Sequence, residues 1–350
     1  MNINPIAVYS GNIIIYWSGL VIALGIAAGF LLALSIYTAQ HGSGSAMWVF
    51  LPFAIVFSVL LSRVFHWYCH EEQYRSLFAA LSDFSGGGYI LQGALLGVYL
   101  AALISKGFGF ANNTGKILDA VAPGFAFTIA AIRLSSLFNS SCHSKYTIEK
   151  KILQRLPFAS PVTDAAGNVS YRFATFFVEF LLMLVVMVLL LIMYYRLHNA
   201  KMKSPCKRDG HIFRIFLLLF GVVELVMDST RNDSSFLHFL GSLKVINKFF
   251  GFISVGQLVS AITILFIMIY YSKRSIRANG HKFYHTVLWV SYLLSLAMVG
   301  AFEYCVQRWS NLHSLIYIGM SIGAVVMAIS VYKMYSTCIA HVEEWQDEYE

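Results

Sequence analysis

Residues 174–195 read ATFFVEFLLMLVVMVLLLIMYY, an apolar run in which Glu179 is the one charged residue. A helix rising about 1.5 Å per residue needs roughly 20 such residues to cross a hydrocarbon core about 30 Å thick. Lipid offers the backbone no hydrogen-bonding partner, so a run of this kind must satisfy its own peptide groups as a helix. A barrel strand would alternate apolar and polar residues instead. Working outward from this run, eight further stretches carry the same signature, at residues 13–37, 47–67, 87–104, 117–138, 212–227, 253–271, 287–306 and 316–335. The third, fourth and sixth spans are the weakest by hydropathy. The third opens on glycines 86 to 88, and the fourth contains Pro123 and Arg133. The expected fold is an all-α polytopic transmembrane bundle of about nine spans.

Composition agrees. The 350 residues are 58% hydrophobic and 12% charged, against about 25% charged in a soluble domain, and the mean hydropathy is +0.67. Six prolines and no low-complexity linker point to one membrane domain. The net charge of +8 resides in short loops, where basic residues set orientation. No basic face with aromatic platforms is present, which argues against nucleic-acid binding. Of the five cysteines, Cys69 and Cys142 fall on the same expected side. A disulfide between them is one option; unpaired thiols are the plainer one, because the spacing matches no framework. No CxxC or zinc-type spacing occurs. The opening MNINPIAVYSGN lacks a basic region before its apolar run, so no cleaved signal peptide is expected.

Orientation follows the basic loops. Arg196, Lys201, Lys203, Lys207, Arg208 and Arg214 lie between the fifth and sixth spans, and Lys273, Arg274, Arg277 and Lys282 between the seventh and eighth. Alternating spans put both loops on one side, which the positive-inside rule makes cytoplasmic. The N-terminus is then outside and the acidic tail HVEEWQDEYE inside. The long polar loop at about 139–173 becomes an extracytoplasmic cap. Its Lys145, Lys150, Lys151 and Arg155 oppose the rule, which longer loops obey less well.

Ionisable groups inside spans are costly and mark cavities or partners. Arg63, in SRVFHWY, reads as an arginine snorkelling to the interface. Arg133 is followed by Ser135, Ser136, Asn139, Ser140 and Ser141, a mixture suited to a hydrated pocket, and a guanidinium forks onto phosphate oxygens with two bonds. Glu224, Asp228 and Arg231 stand at i, i+4 and i+7, on one helical face. The plain alternative for that face is a salt bridge from Asp228 to Arg231. Gln92 lies inside the third span, flanked by Gly93 and Gly97, which form a small-xxx-small packing face.

In this order, the segments YWSGLVIALG, SRVFHWY, GGGYILQGALLGV, ILDAVAP, AIRLSSLFNSS, FLLLFGVVELVMDSTRND and ISVGQLVS resemble those of the prolipoprotein diacylglyceryl transferase family. The resemblance covers about residues 12–274. It implies a membrane core over residues 1–275, with two additional helices and the acidic tail at 276–350. Residue by residue, Arg133 matches the family's signature arginine, and Asn139 its second signature asparagine. Ser254, Gly256, Gln257 and the fifth-span Glu179 also match. Arg231 closes the sixth-span motif, with Asp228 where a glutamate is usual. Several positions depart. Gln92 replaces a histidine, Ser136 an asparagine, Ser141 a glutamate, Ser18 a tyrosine, and Glu224 an arginine.

The reaction the resemblance implies moves a diacylglyceryl group from phosphatidylglycerol to a cysteine thiol of a prolipoprotein, with glycerol phosphate leaving. The substrate brings its own nucleophile, and no cofactor is implied. The protein must supply a cation for the departing phosphate and a route to thiolate. The expected catalytic set is Glu224, Asp228 and Gln92. A carboxylate serves as base, and Gln92 orients by hydrogen bonding without accepting a proton as a histidine would. The expected substrate-binding set is Arg133, Asn139, Ser136, Arg231 and Gln257. His66, His70 and His143 are further candidates to stand in for the missing histidine. The partners expected are a phospholipid donor and a prolipoprotein-like acceptor. The alternative is a non-catalytic lipid- or lipopeptide-binding protein on the same scaffold. A solute transporter ranks lower, since the two halves show no hydropathy repeat.

Overall fold

The computed structural model describes residues 5–11, 13–41, 44–70, 73–83, 88–111, 113–139, 142–156, 158–163, 169–199, 210–233, 252–308 and 313–347. Two strands come first, β1 (Ile6–Ser10) and β2 (Ile13–Tyr16). Helices α1 (Trp17–His41), α2 (Ser45–Cys69), α3 (Leu77–Ser82), α4 (Leu91–Gly107) and α5 (Thr114–Ser135) follow. After a single 3-10 turn at Ser136–Phe138 come α6 (Lys151–Gln154), β3 (Ala159–Thr163) and β4 (Val169–Phe173). The chain continues through α7 (Thr175–Asn199), α8 (His211–Thr230), α9 (Val255–Asn279), α10 (Phe283–Arg308) and α11 (His313–Asp347).

Each of the nine expected spans falls on a helix. Seven are long and apolar enough to cross a membrane, namely α1, α2, α5, α7, α9, α10 and α11. The 17-residue α4 is shorter, and α8 carries Arg214, Glu224 and Asp228 within its 20 residues. The architecture is that of a helical multi-pass membrane protein.

Two small hairpins depart from the all-helical expectation. The first span was expected to start at residue 13, but its helix starts at Trp17. Ile13–Tyr16 pairs instead with Ile6–Ser10, from Ser10↔Ile13 to Ile6↔Tyr16. The cause is local. Gly11 takes φ +57°, a left-handed conformation that glycine adopts without steric cost, at the tip of a two-residue turn. The β-branched run Ile13–Ile14–Ile15 then favours extended backbone. The second hairpin lies in the 139–173 loop, where β3 and β4 pair from Ala159↔Phe173 to Thr163↔Val169.

The chain divides into two compact units, of which the first comprises Met1–Gly44, Asp119–Tyr195 and Thr230–Ser234. Here α1 meets the second half of α5, where Thr128 Oγ1 donates to the Gly25 carbonyl at 3.3 Å. Trp17 stacks on Phe138 with centroids 6.2 Å apart. Tyr194 of α7 donates to the Ile36 carbonyl of α1 at 3.4 Å.

The second unit comprises Ser45–Leu118, Arg196–Ser229 and Ser235–Glu350. Gly93 and Gly97 of α4 lie against the α2 backbone at Leu61–Ser62 and Phe57–Ser58, as their small-xxx-small spacing suggested. Ser58 and Ser62 donate across the seam to the carbonyls of Ala94 (3.2 Å) and Ile90 (2.9 Å). Arg63 corrects an expectation. It does not snorkel but is 1% exposed. Its guanidinium donates to the carbonyls of Ala80 at 3.0 and 2.6 Å, Gly88 at 3.0 Å and Asp83, and lies over the Tyr74 and Tyr89 rings. The carbonyls of the α2–α4 connection replace the water the cation gives up, so burial becomes tolerable. At the far end of this unit, Ser275 of α9 bonds both His285 of α10 and Thr337 of α11 at 2.8 Å, and Trp289 of α10 donates to Ser272 of α9 at 2.9 Å.

Candidate functional site

In the first unit, the charged residues gather where α5 ends. Arg133 is 6% exposed, and its Nε lies 2.7 Å from Glu179 Oε2 of α7. Its Nη1 donates to Cys142 Sγ at 3.2 Å. The Cys142 amide donates to Asp233 Oδ2 at 3.0 Å, and Arg231 Nε reaches Asp233 Oδ1 at 3.0 Å. Two cations thus alternate with two carboxylates, and Cys142 links the pairs, its thiol meeting Arg133 and its backbone amide Asp233. The carboxylate that meets Arg133 is Glu179 of α7, the fifth-span glutamate. The sixth-span arginine, Arg231, sits just past the end of α8 and makes an ion pair with Asp233.

The loop after α5 is held between two walls. Lys145 N donates to the Thr230 carbonyl at 3.1 Å, Asn232 N to the His143 carbonyl at 2.8 Å, and Ser144 N to the Phe173 carbonyl at 3.0 Å. Thr175 and Thr230 share a hydroxyl–hydroxyl bond of 2.9 Å. His143 is engaged by Ser160 at 3.0 Å and packs on Phe176. Cys142 takes φ +55°, a conformation costly for a non-glycine residue. Its thiol and amide are both held, which fixes the turn. Burial pushes the Cys142 thiol pKa up, with Asp233 and Glu179 adding to the rise, and the charges of Arg231 and Arg133 do not cancel it. Burial would also raise the Asp233 carboxyl, but the Arg231 charge and hydrogen bond, the Cys142 amide and Arg133 outweigh it and leave the pKa below the usual value.

Ser136 begins the 3-10 turn and is 2% exposed. Asn139 closes that turn, with its amide donating to the Ser136 carbonyl at 3.4 Å, and it is exposed. Ser140 and Ser141 lie outside the described residues.

In the second unit, a different set converges around the N-terminus of α9. Glu224 and Asp228 stand one turn apart on α8, 3% and 5% exposed. Both are buried, as their shared face suggested. Gln92, the second residue of α4, is 6% exposed. A Cβ on Gly256 would lie 2.8 Å from Asp228 Oδ2 and 3.0 Å from Gln92 Nε2, so the glycine permits an approach that any side chain would block. Ser254 caps α9. Its Oγ accepts from Gln257 N at 3.1 Å and donates to Asp228 Oδ2, while Gln257 Oε1 accepts from Ser254 N at 3.1 Å, completing a capping box. Gln257 Nε2 donates to the Leu225 carbonyl at 3.1 Å and to Glu303 Oε2 of α10 at 2.9 Å. Gln307 Nε2 donates to Glu303 Oε1 at 3.2 Å.

The structure thus joins Arg133 with Glu179 and Cys142 in one unit, and Gln92 with Asp228, Gly256, Ser254 and Gln257 in the other. His66 stacks on His70 at 4.4 Å and lies against Gly88; like His143 it is engaged in packing and local hydrogen bonds. Three polar participants were not singled out from sequence. Asp233 follows Arg231 by two residues, Cys142 was weighed only as a disulfide partner, and Glu303 was passed over. The signal for Glu303 was a lone carboxylate inside LLSLAMVGAFEYCV. Cys69 and Cys142 are not joined, and among the described residues no cysteine forms a disulfide.

The family model for prolipoprotein diacylglyceryl transferase matches residues 5–273. Curated relatives include the proteins named phosphatidylglycerol--prolipoprotein diacylglyceryl transferase from Streptococcus pyogenes serotype M5 (strain Manfredo), serotype M49 (strain NZ131) and serotype M1. Each is 29% identical over 287 residues, which cover 81% of this chain and 99% of the relative. With more than half its length matched by one family model, the chain belongs to the prolipoprotein diacylglyceryl transferase family.

Proposed function

We propose that this chain moves a diacylglyceryl group from phosphatidylglycerol, or a closely related anionic lipid, to the cysteine thiol of a prolipoprotein-like substrate. The substrate sulfur attacks the glyceryl carbon that bears the phosphate ester. A carbon–sulfur bond forms, the carbon–oxygen bond breaks, and glycerol phosphate departs with the bonding electrons. The thiol proton passes to a base. The observation that carries this reading is Arg133, a buried guanidinium at the family's signature position, at the end of a membrane helix. A planar cation suits a lipid phosphate and its growing charge as it leaves. Glu179 orients Arg133 and keeps the cation from being an unpaired buried charge. Ser136, Asn139 and Arg231 are assigned to the substrate headgroup, Asp228 or Glu224 to the thiol proton, and Gln92 and Gln257 to orientation.

A non-catalytic lipid-binding role is the less favoured reading, since the relatives covered almost end to end are named as transferases. The test is purified full-length protein with labelled phosphatidylglycerol and a lipobox peptide. Label on the peptide supports transfer; lipid that binds without label transfer supports the binding role.

The setting we propose is a bacterial-type plasma membrane, with the N-terminus outside, the 139–173 loop as an external cap, and the basic loops and C-terminus in the cytoplasm. Lys282→Cys, in the α9–α10 connection, should resist an impermeant thiol reagent in intact cells and react after permeabilisation. Labelling in intact cells would reverse this orientation.

A further inference from the structure

Helices α10 and α11 lie beyond residue 273, where the family match ends. Nevertheless α10 delivers Glu303, 3% exposed, to the polar cluster at the start of α9. A carboxylate inside an apolar helix is expensive and persists where it serves something. Both its oxygens accept hydrogen bonds, one from Gln257 and one from Gln307.

The hydrogen-bond directions carry the argument. Glu303 Oε2 and the Leu225 carbonyl are both acceptors, and both face the Gln257 side chain. Two acceptors there force the NH2 end of the amide toward them, since the flipped amide would set oxygen against oxygen. The Gln257 oxygen is thereby turned back to the Ser254 amide. That closes the capping box, in which Ser254 Oγ accepts from Gln257 N. With a lone pair committed there, the one hydroxyl proton of Ser254 goes to Asp228 Oδ2. Asp228 is then held beside Gly256, with Gln92 on the same glycine.

We propose that Glu303 is a positioning residue for diacylglyceryl transfer, acting through Gln257 and Ser254 to fix the carboxylate of Asp228, so that α10 is part of the working site. This rests on the transferase reading above. Such chains of hydrogen bonds are worth more than isolated pairs, and pairwise coupling is what reveals them.

The test uses full-length protein, labelled phosphatidylglycerol and a lipobox peptide, with kcat and KM measured for wild type, Glu303→Gln, Glu303→Leu, Gln257→Leu and the Glu303→Leu/Gln257→Leu double variant. Each protein is also melted, so that turnover refers to folded material. Glu303→Leu removes the acceptor that sets the amide and should lower kcat about tenfold with KM for the lipid within about twofold, as expected for an interaction that matters after binding. Glu303→Gln keeps an acceptor and should lose only about threefold. The double variant should be no slower than Gln257→Leu, because both changes break one chain. Unchanged kcat in Glu303→Leu, or single losses that multiply in the double variant, would overturn the inference while leaving the transferase reading intact. A folded wild type that transfers no label would overturn both.

Discussion

The two polar clusters of this molecule differ in the bonds that link their members. In the first unit, Arg133, Glu179, Arg231 and Asp233 are joined as ion pairs, with Cys142 bridging them. In the second, Glu303 and Asp228 are tied together through an amide and a hydroxyl, with Gln257 and Ser254 as links. Ion pairing holds a guanidinium in place and keeps it from being an unpaired buried charge. A hydrogen-bond chain lends little charge but sets direction. The contrast matches the roles proposed, a phosphate clamp in one unit and an oriented carboxylate in the other.

The largest effect should come from the ion-paired cluster. Arg133→Ala breaks the buried Arg133–Glu179 ion pair, and removing one partner of a buried pair costs about 3–5 kcal/mol. It should also cut turnover by about 100-fold or more, as loss of a group that stabilises developing charge does. Arg133→Lys keeps the charge without the planar fork and should fall between. Adding Glu179→Ala to Arg133→Ala should recover much of the thermal stability and none of the turnover. If the double variant regains activity, Arg133 is structural.

The hydrogen-bonded cluster should be most sensitive at Gly256. Gly256→Ala places a methyl 2.8 Å from Asp228 Oδ2, and overpacking of this kind costs about 1–3 kcal/mol. The melt should drop and transfer should fall with it; an unaffected melt would mean Asp228 moves aside freely. Ser254→Ala removes the α9 cap, worth about 1 kcal/mol, together with the donor to Asp228. Its effect on turnover should exceed its effect on stability. Equal effects would reduce Ser254 to a cap.

The smallest effect concerns pH. The folded pKa of Asp233 lies below its ordinary value. Its contribution to stability is therefore present above the unfolded pKa and lost as pH falls through the folded one. Asp233→Asn should lower stability modestly at neutral pH and flatten the acid side of the profile, so that variant and wild type converge at low pH. An unaltered acid limb would show that Arg231 has no purchase on this carboxylate.

Much of this was legible in the sequence because lipid imposes one strong rule. Runs such as residues 174–195 have to be helices, and each of the nine expected spans contains one, seven of them long and apolar enough to cross a membrane. Arg133, Glu224, Asp228 and Gln92 stood out as polar groups in apolar surroundings, and all four are buried. What escaped depends on tertiary contacts. The β1–β2 hairpin hid inside a run apolar enough to read as membrane, although Gly11 and three consecutive isoleucines marked it. Arg63 read as interfacial because it closes its span; only the fold shows backbone carbonyls gathered round it. Glu303 lies past the end of the family resemblance; its sequence signal is a lone carboxylate in an apolar run, and its partner Gln257 is a tertiary contact 46 residues away.

The central claim is best tested by following both products of one reaction. Purified full-length protein, given phosphatidylglycerol labelled in the diacylglyceryl moiety and a lipobox peptide, should attach label to the cysteine through a thioether. Glycerol phosphate should appear in equal amount, and the folded Arg133→Ala protein should yield neither product. A folded wild-type protein that binds the lipid but yields neither labelled peptide nor glycerol phosphate would contradict the account.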